Sequence, residues 1–107
     1  MKAKLRPGSA ATRLKANARS AAEFLLALAN DKRLAVLCEL LNARELPVGE
    51  LAQRVGLSQS ALSQHLAKLR AEGLVETRRE SQLIHYRLAK DKRLVRTLAL
   101  LEGLFCG

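Results

Sequence analysis

Apolar positions along this 107-residue chain change period several times, and each change marks an element. From Ser9 to Ala29 the sequence is rich in Ala with no breaker, which predicts one helix. Asn30 or Asp31 ends it and caps the next. Leu34, Leu37, Cys38 and Leu41 then recur at i, i+3, i+4 and i+7, the buried stripe of an amphipathic second helix. Residues 42–47 read as a connection, with Pro47 suited to a helix start. A short helix over 48–55 follows and stops at Gly56.

The next stretch is the most informative. Ser58 is a good N-cap, because its hydroxyl can accept a free amide of the first turn. It precedes a helix from Gln59 to about Glu72, closed by Gly73. Leu62, Leu66 and Leu69 form its apolar stripe, with Ser60, Ser63, Gln64 and Lys68 away from it. Period two takes over in 75–79 and 83–88 around Glu80-Ser81-Gln82, a β-hairpin that turns Ile84, Tyr86 and Leu88 inward and His85 and Arg87 outward. A last helix, about 91–105, carries Leu94, Leu98, Leu101 and Phe105 on one side. Helix, helix, helix–tight turn–helix, hairpin, helix is a mainly α (α+β) winged helix-turn-helix with a two-stranded wing. The helix-turn-helix covers about 48–72 and the wing about 74–88, inside one domain of 9–107. Residues 1–8, with Lys2, Lys4 and Arg6 before Pro7-Gly8, form a flexible basic arm.

Composition narrows the function. A net charge of +9 on one small domain points to a polyanionic partner, nucleic acid before an acidic membrane. Phe24, Tyr86 and Phe105 are the whole aromatic set, which argues against modules that stack bases on aromatic platforms. Two cysteines make no secreted disulfide framework. The basic residues before the run Phe24-Leu25-Leu26-Ala27-Leu28-Ala29 imitate a targeting segment. The run is short, follows Glu23 and has no cleavage-like site after it, so it belongs to the domain of a cytoplasmic protein. In that reducing compartment a disulfide would be a signal rather than a staple.

A helix entering the DNA major groove needs small hydrogen-bonding side chains near its N-terminus. Gln59, Ser60, Ser63 and Gln64 suit this, and Lys68 suits a phosphate. Arg78 and Arg79 flank the hairpin tip, where a wing lies along the backbone or minor groove. Yet residues 47–73 carry only +1 and 74–90 only +2, while the first 22 carry +6 with no acid. His65 falls on the reading helix and His85 on a wing strand, better placed for DNA contact or surface packing than for metal. The two His and two Cys have no short spacing and form no zinc signature. No nucleophile–base pair or phosphate-cradling Gly loop is present, so the chain reads as no enzyme, without cofactor.

The segment Leu57-Ser58-Gln59-Ser60-Ala61-Leu62-Ser63-Gln64-His65-Leu66-Ala67-Lys68-Leu69-Arg70, running into Gly73-Leu74-Val75, closely resembles the recognition region of the ArsR/SmtB family of bacterial repressors. Thr77-Arg78-Arg79-Glu80 with Ile84-His85-Tyr86, and Asn30-Asp31-Lys32-Arg33-Leu34, extend the resemblance to about residues 20–106. It implies a homodimer, joined through the first and last helices, on a two-fold-symmetric double-stranded operator. The arsenic-type Cys-x-Cys is absent, with Pro47 and Gly49 in its place, and Asp91-Lys92-Arg93 lacks the His of the zinc type. Neither metal site can be built.

Cys38 and Cys106, 68 residues apart, are placed like the thiols of the SqrR/BigR/HlyU-like dithiol branch of persulfide and redox sensors. That resemblance implies a repressor released when a reactive sulfur or oxygen species modifies the pair. The residues alone leave Cys38 free to be a buried structural thiol on its apolar stripe. The same dimer could then act constitutively or as an anti-silencing regulator. A winged helix that binds protein rather than DNA is the rival of another class, against which Gln59, Ser60, Ser63 and Arg79 speak.

Overall fold

The computed structural model describes residues 8–106. The chain runs α1 (Ala10–Ala16), α2 (Ala18–Leu28), α3 (Asp31–Ala43), β1 (Glu45–Pro47), α4 (Val48–Val55), α5 (Gln59–Ala71), β2 (Val75–Glu80), β3 (Leu83–Leu88) and α6 (Lys92–Phe105). This is a winged helix-turn-helix. The basic arm, save for Gly8, lies outside the described residues.

The expected single helix over 9–29 is two. Asn17 leaves helical geometry at φ −112°, ψ 18°, and its Nδ2 donates to the Arg13 carbonyl at 2.8 Å. A short amide that satisfies a nearby carbonyl offers the backbone an alternative to the helix ladder. Asn30 caps α3 as anticipated, accepting from the amides of Lys32 and Arg33 at 2.9 and 3.0 Å. Arg33 is buried, donating from Nε to the Ala27 carbonyl (2.7 Å) and from Nη2 to the Leu26 carbonyl (3.1 Å). A cation thereby closes the negative end of α2.

The hairpin pairs Val75 with Leu88 through to Glu80 with Leu83, leaving Ser81-Gln82 as a two-residue turn with Ser81 at φ 57°. A third strand joins it. The segment read as a plain connection holds β1, antiparallel to β3, in the sheet order β1-β3-β2. His85, expected to face out, is only 15% exposed in its side chain. It sits on the central strand between Pro47 and Arg78, so neighbours on both sides cover it.

Leu37, Leu40, Leu51, Leu62, Leu66, Leu69, Leu74 and Leu94 are fully buried and form the centre of the core. The stripe anticipated for α3 is displaced. Val36, Leu37 and Leu40 face the core, whereas Leu34 is half-buried and Leu41 and Cys38 are exposed. One side of α3 packs against α4 and α5, and the other turns toward the end of α6. On α6, Leu94 and Leu98 are buried, but Phe105, expected on the same stripe, is 79% exposed. Arg93 lies 4.8 Å over the Phe24 ring and ties the start of α6 to α2. No described helix is long and apolar enough to cross a membrane.

Candidate nucleic-acid interface and thiol cleft

Local chemistry sets the angle between α4 and α5. Gly56 adopts φ 71°, and the amides of Gly56 and Leu57 bond back to the carbonyls of Gln53 (3.2 Å) and Ala52 (3.0 Å). This double closure needs a left-handed residue, which only glycine supplies without strain. Ser58 then opens α5 by accepting the Ala61 amide at 3.1 Å. Gly73 closes α5 in the same manner, at φ 75°, with the Gly73 and Leu74 amides bonding to Arg70 and Leu69 at 2.9 Å. Leu62, Leu66 and Leu69 anchor the inner face of α5, so its outer face is held rigidly toward solvent.

Gln59, Ser60, Ser63 and Gln64 are exposed on that outer face in its first two turns, and Lys68 is exposed one turn later. The helix brings these five residues together. His65 is half-buried and sits at the margin of the patch.

The wing arginines divide. Arg78 donates from Nε and Nη2 to both carboxylate oxygens of Glu45, at 2.7 and 3.1 Å, and lies 3.5 Å from Glu80. Arg87 pairs with Glu76 at 3.1 Å. Arg79 is exposed and makes no ion pair among the described residues. The Arg78 hydrogen bond holds the Glu45 carboxyl below the usual carboxylate range. Neither the clamp nor β1, which supplies Glu45, was anticipated from sequence. His85 Nε2 is buried without a hydrogen-bond partner, 3.9 Å from Glu80.

Cys38 on α3 and Cys106 just beyond α6 line one cleft of about 400 Å³, with Leu34, Leu98, Leu101, Glu102 and Phe105. Both are free thiols. Partial burial, the Glu39 carboxylate and then Cys106 push the Cys38 thiol above its ordinary value. The thiol form of Cys38 is thereby favoured over the thiolate. Among the described residues no group of three or more His, Cys, Asp or Glu is placed to hold a metal.

Residues 30–77 match the family described as bacterial regulatory protein, arsR family. The chain is 50% identical over 90 residues to the transcriptional activator HlyU of Vibrio cholerae, spanning 84% of this chain and 82% of that protein. Among solved structures it is similar to NolR of Sinorhizobium fredii, with a TM-score of 0.79, 44% identity and 97% of each chain covered. It is also similar to the transcriptional repressor BigR of Xylella fastidiosa, with a TM-score of 0.82, 36% identity, and 90% of this chain and 96% of that one covered.

Proposed function

Because the chain belongs to the arsR family of bacterial regulatory proteins, we propose that it is a DNA-binding transcriptional regulator rather than an enzyme. In this reading a homodimer holds a two-fold-symmetric operator and releases it when Cys38 and Cys106 are persulfidated or oxidised. The observation that carries the thiol part is that two cysteines 68 residues apart in sequence line one cleft. Gln59, Ser60, Ser63 and Gln64 read base edges, with His65 beside them, Lys68 takes a phosphate and Arg79 takes the backbone or minor groove. Arg78 reaches DNA only by exchanging Glu45 for a phosphate.

Exposed Leu14 on α1, Leu25 on α2, and Leu100, Leu104 and Phe105 on α6 support a dimer seam through the first and last helices. BigR is a repressor by name and HlyU an activator. Repression by occupancy requires no partner beyond DNA, and on that ground the chain is read as a repressor. A second reading keeps the DNA-binding dimer but makes the cysteines non-sensing, with constitutive or anti-silencing action. The upward push on the Cys38 thiol favours it, since the thiolate is the reactive form.

Genomic fragments selected by the reduced protein, titrated before and after glutathione persulfide or peroxide, decide between these. Release together with a mass change linking Cys38 to Cys106 supports the switch, while retained binding by thiol-modified protein favours the second reading. No preference over random DNA removes operator recognition altogether.

A further inference from the structure

For a chain of net charge +9, the boundary of the thiol cleft is unusual. Among the described residues no lysine or arginine lines it; Leu34, Leu98 and Leu101 supply apolar walls, and Glu102 is the one charged lining residue. Glu39, next to Cys38 in the chain, does not line the cleft and pairs with Arg54 at 3.4 Å, so Glu102 carries the charge of the lining. Resting on the thiol reading above, we propose that this cleft reacts faster with uncharged, apolar sulfur electrophiles than with anionic ones.

The physics is local. Apolar walls take a neutral disulfide or polysulfide at little desolvation cost, whereas an anion loses hydration and meets the Glu102 carboxylate. The field of the whole molecule acts in the opposite sense, since a net positive protein draws anions in. The chemistry is thiol–disulfide exchange. The Cys38 thiolate attacks one sulfur of R–S–S–R′, a Cys38 S–S bond forms, and the original S–S bond breaks. Its electron pair leaves on R′S⁻, which takes a proton from water. The electrophile is itself the oxidant.

The test uses the full chain carrying Cys106→Ser, so that Cys38 alone reports. Its reaction rates with neutral 2,2′-dithiodipyridine and dianionic 5,5′-dithiobis(2-nitrobenzoate) are each divided by the rate of N-acetylcysteine amide. The normalised rates favour the neutral reagent by about tenfold or more, and Glu102→Gln shrinks that preference severalfold. Salt is held at about 0.15 M in every arm, so that the long-range field of the molecule is screened equally throughout. A ratio near one, or a ratio untouched by Glu102→Gln, overturns the proposal. Operator release is read separately in the unaltered protein. Its absence removes the switch and leaves the rate ratio standing, whereas a ratio near one removes the selectivity and leaves the switch.

Discussion

Arg78 and Glu45 form a two-bond clamp across the central strand, Nε to Oε1 at 2.7 Å and Nη2 to Oε2 at 3.1 Å. Glu45 begins β1, which runs straight into α4, so the clamp fastens the wing to the base of the helix-turn-helix. It also occupies a cation that would otherwise be free for phosphate. Glu45→Gln is expected to free Arg78 and steepen the slope of log K against log salt by roughly 0.9, on operator and random DNA alike. An unchanged slope in fluorescence titrations counts against this. The Glu45 carboxyl is lowered in the folded protein, so its stabilising contribution is complete above the ordinary carboxylate range. That contribution is lost as pH falls through the lowered value. Hydrogen exchange at the paired β1 and β3 amides should therefore quicken only at acidic pH, and in Glu45→Gln this step should vanish.

The outer face of α5 yields the clearest separation of binding from folding. Gln59, Ser60 and Ser63 are exposed, and their side chains make no hydrogen bond among the described residues. Changing any one to Ala should weaken operator binding by about 1–3 kcal/mol, leave random DNA unaffected and leave the thermal melt in place. Ser58→Ala should behave differently, costing about 1 kcal/mol of stability because Ser58 caps the helix. Equal losses on operator and random DNA would count against base reading.

What the sequence reveals of the fold follows a physical division. Gly56, Ser58 and Gly73 act on amides within a few residues of themselves, so the helix-turn-helix is legible from local chemistry. Leu62, Leu66 and Leu69 share one face of α5 by helical spacing alone, and all three are buried. β1 is three residues long and exists only because β3 offers it an edge, which no local pattern announces. Arg33 looks like one more surface cation until the end of α2 is folded over it. Cys38 falls on an apparently buried stripe, yet which edge of α3 meets the core depends on where α4 and α5 sit.

Arg33 is expected to be the costliest charge to remove among the described residues, where it is the buried one. Its guanidinium is the partner of two carbonyls at the end of α2, and Arg33→Ala would leave both without it. Urea melts should report a loss of about 1.5–3 kcal/mol. Arg33→Lys should recover little of it, because an ammonium cannot span two carbonyls with a planar fork. Full recovery by Lys would show that charge alone matters.

Leu100, Leu104 and Phe105 project from α6 into solvent in the protomer, while Leu94 and Leu98 of the same helix are buried. With half of α6 docked and half bare, Leu100→Glu with Leu104→Glu should leave the fold intact and abolish self-association. Sedimentation at micromolar concentration should then give a monomer, with specific DNA affinity falling because two half-sites are no longer read together. A double variant that still sediments as a dimer would place the seam elsewhere.

The thiol pair makes the most demanding prediction. Cys38 lies on α3, which packs against α4 and α5, and Cys106 ends the helix whose free side is the expected seam. A bridge between them would bind the end of α6 to the helix that supports the reading head. A disulfide needs Cα atoms about 4.4–6.8 Å apart, and inserted sulfurs relax that requirement. In the proposed dimer, movement of α6 against α3 would change the distance between the two α5 helices, which a two-fold operator would measure. Cys38→Ser and Cys106→Ser should each bind the operator like the reduced protein and fail to release it under persulfide or oxidant. Cys38 should also set the rate: because its thiol is pushed up, the reactive thiolate fraction keeps growing as pH rises beyond the ordinary thiol range. Release followed in a stopped-flow instrument should accelerate steadily across that range. If the double Ser variant lets go of DNA under the same treatment, the cysteines are not the switch.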